Sequence, residues 1–290
     1  MTLGGSALAR LLAVVLTVLS AVAVTAPAVA QTTTLESYVA LGDSFTAGPG
    51  ILVQRLDPLG CFRSDHNYPQ LVARARGSAL RDVSCSGAST GDLFSPQAVL
   101  GGPNPPQLAA LDAGVDVVTV QVGGNDVGFT EILVRCAALL PAGTPCQDAY
   151  VRGGVDELGR RIAATAPKVA AALAEIRRRA PDARVLVVGY PAILPEAQPG
   201  CWPVLPVAPG DVPYLRDIEK RLNAMLAAQA AAAGATYVDV YAPSIGHDAC
   251  QLPGARWVEP MVPLSPAAPV HPNALGMQAM AAVVAAAMPG

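Results

Sequence analysis

The sequence predicts an α/β fold, a single doubly wound domain with a parallel sheet of about five strands and helices on both faces. Short β-rich runs alternate with helical patterns along most of the chain. Several runs are apolar at consecutive positions, as in Val117-Val118-Thr119-Val120 and Val185-Leu186-Val187-Val188, which suits strands covered on both sides. The Pro- and Gly-rich stretches at 99–106, 141–145 and 191–213 interrupt this alternation without a lasting change of composition. They read as long loops over the sheet edge rather than as linkers to a second domain.

The N-terminus stands apart from that pattern. Arg10 precedes an apolar run at 11–24 and the small-residue exit Ala28-Val29-Ala30, the layout of a secretory signal peptide over residues 1–30 and too short a run for a membrane span. Cleavage near Ala30 would release residues 31–290 as one secreted domain. Strands are expected at 37–41, 80–85, 115–122, 184–189 and 236–241. Helices are expected at 155–179, interrupted near Pro167, at 214–233 and at 273–288. In the second of these, Leu215, Ile218, Leu222 and Met225 fall at helical spacing and Gly234 is the stop signal.

Composition narrows the function. Of 290 residues, 52% are hydrophobic and 14% charged, enough apolar surface for a packed core. A formal charge of -3 lacks the basic footprint of a nucleic-acid binder, so no nucleic-acid partner is expected. Export turns the six cysteines, Cys61, Cys85, Cys136, Cys146, Cys201 and Cys250, into a disulfide framework. Fifteen pairings are open. The sequential one, 61 with 85, 136 with 146 and 201 with 250, is expected because each pair would tie down a loop flanking a recognisable element.

In a doubly wound sheet, functional groups gather where loops leave the carboxyl ends of the strands. Strand one runs into Gly42-Asp43-Ser44, strand two into Ser86-Gly87-Ala88-Ser89-Thr90, strand three into Gly123-Gly124-Asn125-Asp126, and His271-Pro272-Asn273 precedes the last helix. Acyl transfer needs these types: a hydroxyl to attack, an imidazole to take its proton, and amide donors for the developing oxyanion. Taken singly, each has a plainer reading. Asp43 and Ser44 could cap a helix, Gly123 to Asp126 is turn vocabulary, and His271-Pro272-Asn273 could simply begin a helix. Their convergence on one sheet end favours a site.

The four blocks, in order and over most of the chain, resemble the GDSL-type esterases and lipases of the SGNH hydrolase superfamily. The resemblance implies a flavodoxin-like SGNH fold, carboxylic ester substrates and no cofactor. It also implies Ser44 as nucleophile, His271 as base and then acid, and an oxyanion hole from the Ser44 N–H, the Gly87 N–H and the Asn125 side chain. Six cysteines paired sequentially are similar to the actinomycete-type extracellular lipases of that family. One departure stands out: the family places an Asp three residues before the histidine, where this chain has Ala268. The Ala268 backbone carbonyl is therefore expected to accept the His271 Nδ1–H, with Asp239 or Asp248 as more distant sources of a carboxylate. Asp43 and Asp126 are expected to order their loops.

Other readings are weaker. Gly87-Ala88-Ser89-Thr90-Gly91 satisfies G-x-S-x-G, which would make Ser89 the nucleophile of an α/β-hydrolase with Asp239 and His271, but it leaves the first and third blocks without a purpose. A metal hydrolase using Asp43, Asp126, His247, Asp248 and His271 has no fixed ligand spacing, and no C-x-x-C suggests zinc. No metal is expected. A non-catalytic glycan- or lipid-binding module would have no use for a full set of nucleophile, base and donors. His66 and His247 read as surface or loop residues. Apolar loop residues Ile51, Leu52, Leu56, Phe94, Val127, Phe129, Ile132 and Leu133 could line an acyl groove, favouring fatty-acyl esters over the acetyl-sugar esters of a carbohydrate deacetylase. A monomer making transient contact with a lipid surface is expected.

Overall fold

The computed structural model describes residues 35–288; the signal peptide expected over residues 1–30 lies outside them. Five parallel strands form the main sheet: β1 (Ser37–Gly42), β2 (Ala79–Asp82), β3 (Val117–Gln121), β4 (Arg184–Val188) and β5 (Thr236–Val238). Their order across the sheet is β2-β1-β3-β4-β5, the flavodoxin-like order, with its switch point between β1 and β3. Ser44 leaves the end of β1, and Asn125 the end of β3, on either side of that crevice.

Alternation along the strands divides the core, because successive side chains point to opposite faces. Val39, Leu41, Val118, Val120, Val185 and Val187 pack on one face beneath α6 (Glu157–Arg179) and α7 (Val212–Ala232). Tyr38, Ala40, Val117, Leu186 and Val188 pack on the other beneath α2 (Tyr68–Arg76) and α9 (Ala274–Ala287). Burial on both faces accounts for the unbroken apolar runs in the sequence.

Shorter helices decorate the strand ends: α1 (Ser44–Ala47), α3 (Gly124–Val127), α4 (Phe129–Arg135), α5 (Pro145–Tyr150) and α8 (Tyr241–Ser244). A small antiparallel pair, Val151–Arg152 with Val155–Asp156, precedes α6. β2 and β5 are shorter than expected, although the Val83 and Cys85 N–H groups still donate to the Ala40 and Gly42 carbonyls of β1, and an aspartate stands at the end of each. The Asp82 carboxylate accepts from the Ser84 N–H and hydroxyl, and the Asp239 carboxylate accepts from the Tyr241 and Ala242 N–H groups where α8 begins. After β5 such side-chain acceptors turn the backbone out of the ladder into α8.

The break expected near Pro167 does not occur; α6 runs through it. Pro167 and Ala163, whose carbonyl loses its partner, both lie on the exposed side of the helix, where water serves as the missing donor.

Cys61 is joined to Cys85, Cys136 to Cys146 and Cys201 to Cys250. The first fastens the segment after α1 to the end of β2, the second α4 to α5, and the third the β4–α7 loop to the segment after α8.

At the end of β1, Gly42 is held through both backbone groups by buried Gln107, whose Oε1 accepts the Gly42 N–H at 2.7 Å while its Nε2 donates to the Gly42 carbonyl at 2.9 Å. A Cβ here would lie 2.2 Å from Thr46 Oγ1 and 2.9 Å from the Gln121 carbonyl. We expect Gly42→Ala to lower stability by about 1–3 kcal/mol, the usual cost of overpacking, read as a lower urea midpoint for the disulfide-intact protein. An unchanged midpoint would show that this turn has slack.

Candidate active site

Ser44 opens α1 directly after β1, with Asp43 as the N-cap: the Asp43 carboxylate accepts the Phe45 N–H at 2.9 Å. This short turn holds the hydroxyl at the crevice with the residue only 7% exposed. His271 Nε2 lies 2.8 Å from Ser44 Oγ across a sequence distance of 227 residues. The imidazole is packed against Phe45, ring centroids 5.0 Å apart, and meets the edge of Phe129 at 5.5 Å.

The orienting carbonyl differs from the expected one. His271 Nδ1 lies 2.7 Å from the carbonyl of Pro269, not that of Ala268. The Ala268 carbonyl instead accepts the backbone N–H of His271 at 3.3 Å, closing a turn over residues 268–271. Pro269 occupies the second position and Val270, at φ +57°, the third, the pattern of a type II turn. Closing the turn uses the carbonyl three residues back and leaves the next one for the ring. A β-branched residue at positive φ is strained, and Val270 is fixed there by complete burial among Leu194, Leu205, Val207 and Val258. Asp239 and Asp248 take no part: Asp239 caps α8, and Asp248 accepts from the Cys250 N–H and the Gln251 amide.

A buried platform holds this turn. The Glu259 N–H donates to the His271 carbonyl at 3.0 Å, and the Glu259 carboxylate accepts from Asn273 Nδ2 at 2.7 Å and pairs with Arg256 at 3.0 Å. Burial works to raise the Glu259 pKa, yet its hydrogen bonds and Arg256 hold it below the ordinary value. Asn273 also caps α9 by accepting the Gly276 N–H. On the other side, the Ala268 N–H donates to the Pro49 carbonyl at 2.8 Å, tying the histidine turn to the chain just past α1.

Three donors are available for an anion. The Ser44 and Gly87 N–H groups have no protein acceptor among the described residues, and Gly87 sits at φ +80°, where a side chain is disfavoured. Asn125 Nδ2 donates one hydrogen to the Ala88 carbonyl at 2.9 Å, which fixes the amide and leaves its second N–H free. That bond brings the third block against the second. Asp126 reinforces it by accepting from the Thr90 N–H and hydroxyl at 2.8 and 2.6 Å.

Tyr190, which the sequence reading passes over, links the first and third blocks. From the loop after β4 its hydroxyl donates to Asp43 Oδ2 at 2.5 Å and accepts the Gly124 N–H at 3.0 Å. Burial pushes Asp43 up to about 7, against the lowering influence of Tyr190 and the Phe45 N–H. Burial also lowers the His271 pKa below its ordinary 6.5, and the Pro269 carbonyl offsets this only in part.

Ser44 and Asn125 open onto an apolar cleft that is continuous with solvent. Of the residues expected to line an acyl groove, Val127, Phe129, Ile132 and Leu133 do so. Ile51 is instead buried in the core on the opposite face of the sheet, and Leu52, Leu56 and Phe94 point outward, 70%, 77% and 47% exposed. The rest of the wall comes from the β4–α7 loop, through Leu194, Leu205 and Val207, and from α7, through Leu215, Ile218 and Leu222.

Ser89 lies outside this arrangement. Its hydroxyl and N–H both engage the Asp92 carboxylate, at 2.8 and 2.7 Å, in a capping box. With Asp239 committed to α8 and His271 to Ser44, the Ser89-based α/β-hydrolase reading has no base to use. His66 is exposed beside Asp65, and His247 stacks on Trp257 at 4.1 Å. Among the described residues no three His, Cys, Asp or Glu side chains are grouped to hold a metal ion.

Residues 40–279 match the GDSL-like Lipase/Acylhydrolase family. The chain is 45% identical over 259 residues to Lipase 2 of Streptomyces coelicolor, covering 87% of this chain and 85% of that one. Its fold is similar to the crystal structure of phospholipase A1 from Streptomyces albidoflavus NA297, with a TM-score of 0.73 at 26% identity over 87% of this chain and 99% of that one. It is also similar to that of the extracellular lipase from Streptomyces rimosus, with a TM-score of 0.72 at 28% identity and the same coverage.

Tyr190 touches no reacting atom, so it is a positioning residue. We expect Tyr190→Phe to lower kcat on a soluble nitrophenyl ester about tenfold, or ~1.4 kcal/mol, with KM within about twofold, because the hydrogen bond removed aligns donors rather than binding substrate. Tyr190 also lines the cleft, and a rise in KM at unchanged kcat would show that it acts there rather than through the hydrogen bond.

Proposed function

The chain belongs to the GDSL-like Lipase/Acylhydrolase family and is a carboxylic ester hydrolase, and from that premise we propose that Ser44 and His271 perform the hydrolysis as a dyad on fatty-acyl esters. The observation that carries this reading is the 2.8 Å approach of His271 Nε2 to Ser44 Oγ beside three unengaged or partly free donors. Neutral His271, its Nδ1–H donated to Pro269, takes the Ser44 proton as Oγ attacks the ester carbonyl carbon. The carbonyl oxygen becomes an oxyanion, held by the Ser44 and Gly87 N–H groups and the free Asn125 N–H. Imidazolium then returns the proton to the departing alkoxide, and the alcohol leaves the acyl-enzyme. Water, deprotonated by the same imidazole, attacks the acyl carbon, and collapse restores the Ser44 hydroxyl.

The apolar wall of the cleft supports a fatty-acyl over an acetyl substrate, since an acetyl group would leave most of that wall in contact with water. Relatives carrying the names lipase and phospholipase A1 agree with this. The enzyme acts as a secreted monomer, freed of residues 1–30 by cleavage near Ala30. It meets lipid through exposed Val134, Leu139 and Leu140, which follow the cleft residues Ile132 and Leu133 along the chain.

A chain-length series of nitrophenyl esters tests this reading. Ser44→Ala should abolish turnover at every length, Ser89→Ala should leave it near wild type, and Asn125→Ala should lower kcat about 100- to 1,000-fold, or ~3–4 kcal/mol. Turnover surviving in Ser44→Ala would refute the mechanism.

The acid limb follows from His271. Because the neutral form is the base and burial favours that form, kcat/KM should rise through a midpoint below pH 6.5. An imidazole NMR titration of His271 should give the same midpoint, which separates it from Asp43, held near 7. A midpoint above 6.5 in both would contradict the desolvated ring.

A further inference from the structure

One polar side chain interrupts the apolar wall away from the reacting end of the cleft. Leu215, Ile218, Glu219 and Leu222 line the cleft from α7, at the three- and four-residue spacing that puts them on one helix face. Three of these positions are aliphatic, and the pattern calls for a fourth at 219.

Glu219 has no cationic partner among the described residues. The neighbouring Lys220 pairs with Glu196, and Arg216 donates to the Pro195 carbonyl. Its carboxyl takes only the Ile193 N–H, shared between the two oxygens at 3.2 and 3.3 Å. One divided N–H leaves most of the hydrogen-bonding capacity of a carboxyl unused, and such a group in an apolar setting is costly. Desolvation, with the carboxylates of Asp248 and Glu196 nearby, drives its pKa far above the ordinary range. Against the lowering influence of the Ile193 N–H and Lys220, this shift favours the protonated form, which offers one O–H to donate and lone pairs to accept.

The group is also placed to meet an acyl chain. Leu222, one helical turn further along α7, comes within 3.7 Å of the Cβ position of Gly123, two residues before Asn125. A chain that leaves the Ser44–Asn125 end along α7 would meet Leu222 and Glu219, which line the same cleft.

We propose that Glu219 recognises an oxygen substituent on the acyl chain, so that the cleft favours hydroxyacyl over unsubstituted acyl esters. A hydroxyl is the fitting class because it can accept from the acid O–H and donate to its carbonyl oxygen at once. A carboxylate substituent would bring negative charge towards Asp248 and Glu196, and a purely alkyl chain would bury the acid against carbon. The proposal rests on the Ser44–His271 reading for the direction in which the chain runs.

The experiment compares kcat/KM for matched pairs of nitrophenyl esters, one chain plain and the other bearing a single hydroxyl whose position is moved along it. For the wild type, the hydroxyacyl-to-plain ratio should exceed one and peak at one position. Glu219→Gln, which keeps donor and acceptor, should retain the peak; Glu219→Met should lower it about tenfold, as the loss of a buried hydrogen bond. Each ratio is taken on one enzyme sample, so a partly unfolded variant does not distort it. A wild-type ratio flat with position, or a peak surviving in Glu219→Met, would overturn the proposal. Neither result touches the dyad, whose failure would appear as turnover of the plain ester by Ser44→Ala.

Discussion

A single buried carboxylate holds the catalytic end of the sheet together. Asp43 is almost wholly removed from water, and such a group is tolerated only when its partners are fixed. Those partners are the Phe45 N–H and the Tyr190 hydroxyl, and the hydroxyl in turn receives the Gly124 N–H. The loops leaving β1, β3 and β4 therefore meet at one oxygen. Asp126 repeats the device between the loops after β2 and β3 through Thr90. Ser44, Gly87 and Asn125 sit on short turns, which are mobile by nature, and these two aspartates lend them the rigidity of the sheet.

The histidine is secured by other means. Its loop has no strand of its own, and it is held by a turn, a buried Arg256–Glu259 pair and the capped start of α9. A backbone carbonyl fixes the imidazole tautomer as a carboxylate would, but it carries a dipole rather than a charge and stabilises imidazolium less. Burial lowers the His271 pKa, and the Pro269 carbonyl offsets this only in part. On the proposed dyad mechanism the neutral imidazole is the base, and more of the transition-state stabilisation would fall to the oxyanion donors.

How far all this could be read from the sequence depends on range. Val117 to Val120 and Val185 to Val188 announced central strands because burial on both faces leaves an unmistakable mark. Ser44, Gly87, Asn125 and His271 were visible because each sits in a short block at a strand or helix end. Two kinds of information were not local. Whether Ala268 or Pro269 faces the imidazole depends on the hand of one turn, which Val270 adopts only because its side chain is buried elsewhere. Tyr190 and Glu219 gain their meaning from neighbours more than twenty residues away. Helix α2 was missed although Asn67 caps it, Pro69 lies in its first turn and Gly77 ends it; these signals were present, but Arg74 and Arg76 dilute the apolar stripe that draws attention to a helix. Ile51, Leu52, Leu56 and Phe94 show the reverse error, since apolar character alone does not say which side of a loop faces a cleft.

Two of the three disulfides fall where the sheet has no reach. Cys136–Cys146 fastens α4 to α5 and Cys201–Cys250 fastens the β4–α7 loop, so both anchor segments that supply cleft wall, whereas the strands are held by their own ladder. Reductant and heat thus attack different parts of the molecule. A thiol would release the anchors of those walls while leaving the strand ladder in place, so a reducing environment acts on the cleft before it acts on the sheet.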